Sequence, residues 1–320
     1  MAWFHPIDKN LLFTKNDKED PRLGECVQLL PKVILEELDQ HPSDIVVLGY
    51  PDDDGISLNG GRPGAQVAPR EIRRALYKMT PHLQAKRLPK ILDLGEMINR
   101  IHSLAERHET GKNTIALLNK KNRRWLSLGG GHDYGFADTA GFLEVHSGNA
   151  VVLNFDAHMD VRPTDKGLNS GTPFFRALTD YQGQFAFAEI GIQNQCNSAA
   201  HVRWAQEKGA EVYTLEDVES KGLLPCVQDF LQKHSGKKVF ISLDIDAFNS
   251  SEAPGCSQSW ATGLRAEEFL PCLDWLIANH DVRGLGIYEV SPPLDPDSRT
   301  AKLAALIAHR FIFDILKKEN

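Results

Sequence analysis

The sequence predicts an α/β protein: a mostly parallel sheet with helices over both faces. Three observations predict it. Short apolar runs such as Ile45-Val46-Val47-Leu48-Gly49 and Val239-Phe240-Ile241-Ser242-Leu243 are continuous rather than alternating, as strands buried on both faces should be. Stretches with apolar residues at helical spacing fall between most of these runs, which implies βαβ units. Several runs also end in Gly- and Asp-rich segments, placing chemistry-bearing residues at the carboxyl edge where such sheets bind ligands.

Residues 1–43 read as an irregular, charged extension packed on the domain, with KNDKED as a solvated loop. The first strand is 45–49. Pro69 stands where the first turn of a helix tolerates it, and Ile72, Ala75 and Leu76 continue at helical spacing. Further strands are expected at 90–95, 123–128, 149–155, 186–191, 211–214, 237–243 and 284–290. Helices are expected at 98–107, 113–121, 198–208, 222–233, 265–279 and 299–317. No Pro/Gly/Ser-rich linker, internal repeat or low-complexity segment divides the chain, so 44–320 reads as a single catalytic domain.

Composition narrows the function. The 320 residues are 42% hydrophobic and 25% charged, with a formal net charge of −7, which leaves no basic footprint for nucleic acid or an anionic membrane. The five cysteines, at 26, 196, 226, 256 and 272, form no CxxC pair, the usage of reduced thiols in a cytosolic protein. The N-terminal segment lacks a signal-peptide core, and no apolar run is long enough to span a bilayer. A cytoplasmic protein is expected.

Three motifs carry the chemistry: Gly129-Gly130-Gly131-His132-Asp133, Asp156-Ala157-His158-Met159-Asp160 and Asp244-Ile245-Asp246, each closing an apolar run. In an extended backbone alternate side chains share a face, so Asp156, His158 and Asp160 can point together, and Asp244 and Asp246 repeat that spacing. The three glycines allow a tight strand exit before His132. Taken singly, each motif has an ordinary explanation as a surface loop or tight turn. Together at one sheet edge they read as a metal site, because buried charges must be paired or bound to metal. Mixed carboxylate and imidazole donors suit Mn²⁺ or a similar divalent ion better than a structural zinc. Six ligands exceed what one ion needs unless they are shared. Two ions held close together could lower the pKa of a water between them, the device of a two-metal hydrolase.

At these residues the chain resembles the ureohydrolase superfamily, which contains arginase, agmatinase and formimidoylglutamase. Gly61-Arg62-Pro63-Gly64-Ala65 with Pro69, Ile72 and Arg73, and Glu289-Val290-Ser291-Pro292-Pro293, resemble two further motifs of that superfamily. The resemblance implies a three-layer αβα fold and two Mn²⁺ per chain. One ion would take His132, Asp156, Asp160 and Asp244; the other would take His158, Asp156, Asp244 and Asp246. It also implies that Glu289 accepts hydrogen bonds from an amidine substrate, and that Asp133 stands behind the ligands or bonds the bound hydroxide. A homo-oligomer is expected on the same ground.

The substrate is read from departures within the superfamily. Arginase-like members carry a histidine where this chain has Asn169-Ser170-Gly171-Thr172-Pro173-Phe174, so the proton donor stays unassigned. That form resembles the formimidoylglutamase branch, as do Ala253-Pro254-Gly255-Cys256-Ser257 and Asp297-Ser298-Arg299-Thr300-Ala301-Lys302-Leu303-Ala304. The branch implies hydrolysis of N-formimidoyl-L-glutamate to L-glutamate and formamide, a step of histidine degradation. A substrate with two carboxylates wants cations, and Arg162 is the first candidate. Asn169, Ser170, Gln193 and Arg299 are further substrate-binding candidates, and Arg176 is a weaker one. Cys256 reads as a small loop residue rather than a nucleophile. Two alternatives stay open: an agmatinase or other guanidino-acid hydrolase releasing urea, and a catalytically silent binding protein of the same fold.

Overall fold

The structure, a computed structural model, describes residues 3–30, 35–99 and 102–318. The described strands form one ten-stranded sheet. They are β1 (Phe4–His5), β2 (Val27–Leu29), β3 (Ile45–Gly49), β4 (Ile91–Met97), β5 (Trp125–Leu128), β6 (Ala150–Phe155), β7 (Ala186–Ile192), β8 (Ala210–Thr214), β9 (Lys238–Asp244) and β10 (Asp281–Tyr288). Their order is β1-β4-β3-β5-β10-β9-β6-β7-β8, with β2 also on β4. Every pairing is parallel except the short β1–β4 edge. The segment 1–43, read as irregular, therefore supplies β1 and β2 to the sheet edge.

The helices are α1 (Asp54–Leu58), α2 (Ala68–Leu76), α3 (Leu104–Lys120), α4 (Tyr134–His146), α5 (Pro173–Asp180), α6 (Ala199–Glu207), α7 (Leu215–Lys221), α8 (Leu223–Gln232), α9 (Ala266–Asn279) and α10 (Arg299–Lys318). Alternate residues of each central strand feed opposite cores. Val151, Leu153, Val239 and Ile241 join one cluster with residues of α2, α8, α9 and α10. Val152 and Phe240 join the other with residues of α3, α4 and α5. This is the three-layer arrangement, and it explains why the strands read as unbroken apolar runs.

Departures from the sequence reading have local causes. The two helices expected at 98–107 and 113–121 are one helix, α3, begun by a capping box in which Ser103 and Glu106 satisfy each other's backbone N–H. Residues 98–99 are not helical, and 100–101 lie outside the described residues. Helix α4 went unread because its residues Tyr134 to Leu143 are all buried, so no amphipathic stripe marks it. Gly141 lets it press on α3: a Cβ there would lie 2.4 Å from the Lys112 carbonyl oxygen. Helix α5, with Pro173 in its first turn, and α7, with a Thr214–Asp217 capping box, were also unread. The last strand ends at Tyr288, two residues earlier than expected, because Glu289 takes a left-handed φ of 63° and leaves the ladder.

Candidate metal centre

Strand order builds this site. β5, β10, β9 and β6 are consecutive neighbours in the sheet. The segments at their carboxyl ends therefore meet: His132 after β5, Glu289 after β10, Asp244 and Asp246 at the end of β9, and Asp156 to Asp160 after β6. Gly130 allows the convergence, since a Cβ there would lie 1.7 Å from the Asp52 carbonyl oxygen.

The side chains do not converge by extended alternation. Both segments form tight turns in which the leading aspartate carboxylate takes the backbone N–H two residues on. Asp156 Oδ1 accepts from His158 N at 2.7 Å, and Asp244 Oδ1 accepts from Asp246 N at 2.8 Å. Asp160 then adopts φ 45°, a left-handed conformation that non-glycine residues rarely take. The result is two groups. His132, Asp156, Asp160 and Asp244 offer donor atoms within 4.8 Å of one another, as do Asp156, His158 and Asp246. Asp156 belongs to both: Oδ2 lies 3.0 Å from His132 Nδ1 and Oδ1 lies 3.6 Å from His158 Nδ1. Asp244 joins the first group only.

The carboxylates of this set are crowded and only partly balanced by the two imidazoles: despite its burial, the imidazoles of His132 and His158 beside it hold Asp156 below the usual carboxylate range. Burial and the Asp156 charge push the Asp160 carboxyl up to about 6. Burial, with Asp246 and Asp156 nearby, drives Asp244 well above the usual carboxylate range, and burial raises Asp246 and Glu289 too. Burial pulls His132 down, yet the carboxylates of Asp156, Asp160 and Asp244 packed at its Nδ1 hold it well above its ordinary value. Burial pulls His158 down as well, but the Asp246 charge together with hydrogen bonds to Asp156, Asp246 and Cys196 carries it upward. Buried His132 Nδ1 faces these carboxylates without a well-formed hydrogen bond. Hard oxygen donors, two imidazoles and crowded negative charge fit a pair of divalent cations.

The two imidazoles are oriented differently. His132 is buried; its Nε2 meets Ser242 Oγ at 2.9 Å, and its ring stacks on Tyr288. A hydroxyl partner on Nε2 leaves Nδ1 free for an ion. Glu289 Oε1 accepts from His132 N at 2.9 Å.

Above the groups lies a cavity of about 420 Å³, lined among others by His158, Asp160, Arg162, Ser170, His201 and Glu289. Arg162 Nη1 donates to Asn59 Oδ1 at 2.6 Å, and Asn59 Nδ2 donates to Ser170 Oγ at 3.1 Å. Three other candidates are absent from the lining and spent elsewhere. Asn169 Oδ1 caps its own turn through Gly171 N, Gln193 is tied to Thr262, and Arg299 donates to the Ser251 carbonyl oxygen.

Asp133 also falls outside both groups and the cavity lining. Its Oδ2 bonds His108 Nε2 at 2.7 Å, while Arg176 Nη1 reaches His108 Nδ1 at 2.9 Å. A guanidinium can only donate, so His108 Nδ1 accepts and its proton sits on Nε2, facing Asp133. Arg176 is thus part of this buried chain and lies over the Phe136 ring. Cys256 is buried, with its thiol pushed up by burial, consistent with a packing role.

The motif residues outside the site are braces. Arg62 donates to the carbonyl oxygens of Cys256 and Ser257, Arg73 pairs with buried Asp93 at 2.8 Å, and Ser291 N donates to the Gly255 carbonyl oxygen at 2.7 Å. Sequence reading missed His108, Asn59, Asn197 and His201. Only His201 carried a usable signal, as an imidazole one helical turn into a stretch already expected to be a helix.

The arginase family matches residues 43–313 of this chain. Formimidoylglutamase of Salmonella schwarzengrund is 30% identical over 310 residues, spanning 95% of this chain and 96% of that protein. Among solved structures, Trypanosoma cruzi formiminoglutamase with Mn²⁺ superposes with a TM-score of 0.82 at 27% identity, covering 93% of this chain and 99% of that one. Formimidoylglutamase of Bacillus subtilis gives a TM-score of 0.84 at 25% identity, covering 95% and 94%.

Proposed function

The chain belongs to the arginase family, and we propose that within it this protein is a formimidoylglutamase, cleaving N-formimidoyl-L-glutamate to L-glutamate and formamide with two Mn²⁺ per chain. The observation that carries the reading is the pairing of the two donor groups with a cavity whose wall bears Arg162. His132, Asp156, Asp160 and Asp244 would hold one ion, and Asp156, His158 and Asp246 the other. When bound, such ions supply Lewis acidity and a water acidic enough to ionise near neutral pH.

The chain's own residues do the rest. One Glu289 oxygen is pinned by His132 N, which aims the carboxylate into the cavity for the N–H groups of a planar amidine. Arg162, braced through Asn59, presents a guanidinium to a substrate carboxylate. A cationic substrate such as agmatine would meet that same charge unfavourably, and none of the six proposed ligands is missing, as they would be in a silent relative. A homo-oligomer acting in histidine degradation in the cytoplasm belongs to the same reading; among the described residues no helix is long and apolar enough to cross a membrane.

The test is a substrate panel on the purified protein loaded with Mn²⁺. Formamide and glutamate released from formimidoylglutamate support the assignment, whereas urea released from agmatine or a guanidino acid would replace it.

A further inference from the structure

We propose that Asn197 is the positioning residue for one ion site, the one built around His158. This rests on the two-ion reading above. Ser242 and Tyr288 fix the His132 ring directly, and its side chain is 1% exposed. The His158 side chain is 21% exposed and borders the cavity, and among the described residues no aromatic ring stacks on it. Its ring meets Asp246 Oδ2 at 3.1 Å and bonds the Cys196 thiol, so with no ring packed against it the imidazole also relies on the backbone that carries it.

Asn197 grips that backbone on both sides of His158. Its Oδ1 accepts from Met159 N at 2.8 Å, and its Nδ2 donates to the Ala157 carbonyl oxygen at 2.8 Å. The same Nδ2 donates to the Gln193 carbonyl oxygen at 2.8 Å, and Gln193 N also donates to Ala157 O at 3.0 Å. The loop after β7 is thereby tied to the segment after β6 at the residues flanking one imidazole. Both N–H donors of Asn197 are committed to main chain, so although it borders the cavity it has none left for a substrate. Asp160 has its own tether, because Phe174 N donates to its carbonyl oxygen at 3.1 Å. The first donor group thus keeps supports that do not involve Asn197, while the segment carrying His158 is held by Asn197 on both sides of the imidazole, alongside the Gln193 N and Asp156 tethers.

Partners behind a metal ligand commonly change ion affinity by about 10–100-fold when removed. Asn197→Ala is therefore expected to weaken one of the two Mn²⁺ sites by roughly that factor and leave the other within about threefold. The experiment titrates wild type and variant with Mn²⁺, following heat of binding and electron paramagnetic resonance. The wild type should take up two ions and show the spectrum of a coupled pair. The variant should show an isolated six-line Mn²⁺ signal at concentrations that saturate the wild type. Thermal unfolding of the metal-free proteins checks that the variant is folded.

If Asn197→Ala does not fold, Asn197→Asp, which keeps the acceptor for Met159 N and loses the donors, takes its place. Equal weakening of both ions, or two ions retained at wild-type affinity, overturns the proposal. So does failure of both variants to fold, which would assign the clamp to the fold. The wild-type arm separates the two readings: if wild type never binds a second ion, the two-ion assignment fails first and the clamp with it.

Discussion

Ser242→Ala tests the other imidazole. Ser242 lies on β9 with no exposed surface, and its Oγ is 2.9 Å from His132 Nε2. Because His132 Nδ1 faces Asp156, Asp160 and Asp244 at 3.0–3.1 Å, binding an ion there requires the proton on Nε2, donated to Ser242. Alanine removes the acceptor and leaves that N–H buried and unpaired. Such a group costs about 1–3 kcal/mol. At about 1.4 kcal/mol per tenfold, this predicts a loss of roughly 5- to 150-fold in affinity for the ion in the His132 group. The His158 group should change little, since Ser242 does not touch it. Isothermal titration with Mn²⁺ reads the two affinities, and formamide release against Mn²⁺ concentration reads the consequence. Tyr288 still stacks on the ring, so unfolding should shift by only a few degrees. Two Mn²⁺ affinities within about threefold of wild type, with an unchanged rate, would refute the argument that Ser242 sets the His132 tautomer.

Three other perturbations follow. Glu289→Gln keeps an oxygen for His132 N but loses the charge offered to an amidine, so kcat/KM should fall by roughly 10- to 100-fold with Mn²⁺ uptake intact, read by steady-state kinetics and metal analysis. Arg162→Ala should raise KM for formimidoylglutamate by about tenfold or more while sparing kcat, and Arg162→Lys should restore only part because an ammonium lacks the planar fork; a normal KM in the alanine variant would remove Arg162 from substrate binding. Asp138 gives a pH prediction. Burial, only partly offset by the hydroxyls around it, among them Tyr50 and Tyr288, which donate to it, pushes its carboxyl from 3.8 up to about 6, so the folded chain keeps a proton there that the unfolded chain releases. Stability should therefore fall as pH rises from about 4 to about 6, and urea titrations should find that component of the slope missing in Asp138→Asn.

What the sequence made legible was local. Each metal motif sits within a few residues of a strand end, so residue type and position together announced the chemistry. The parallel sheet was legible because Val151 to Phe155 and Val239 to Leu243 are buried on both faces and apolar but for one polar residue each, Asn154 and Ser242. Helix α4 was not, since a helix buried all round and carrying Asp138 and Thr139 has no polar stripe to give its period away. Nor was the placing of β10 between β5 and β9, which carries Glu289 into the centre from a position 157 residues beyond His132. Gln193 and Arg299 were plausible by chemistry, but their side chains are spent on Thr262 and the Ser251 carbonyl, partners set only by tertiary contact. Asn197 had no pattern at all; its role exists only because two loops meet.

The deeper reason lies in how the ligands are oriented. An extended strand would send Asp156, His158 and Asp160 to one face and so to one ion. The turn instead splits them, Asp160 toward His132 and His158 toward Asp246, with Asp156 offering an oxygen to each. Asp156 and Asp244 are each aimed by a backbone N–H two residues ahead, so their carboxylates are set before any cation arrives. Left-handed φ at Asp160 and Glu289 costs on the order of 1–3 kcal/mol each. Glycine would relieve that strain but would delete a proposed ligand at one position and the carboxylate proposed to face the amidine at the other. The strain is held by the layers beneath, through Phe174 N on the Asp160 carbonyl and Glu289 N on that of Gly130. Local propensity therefore fails as a guide at the two positions where the site departs from strand geometry: at Asp160 the departure turns its carboxylate to the His132 group, and at Glu289 it takes the chain out of the β10 ladder beside His132.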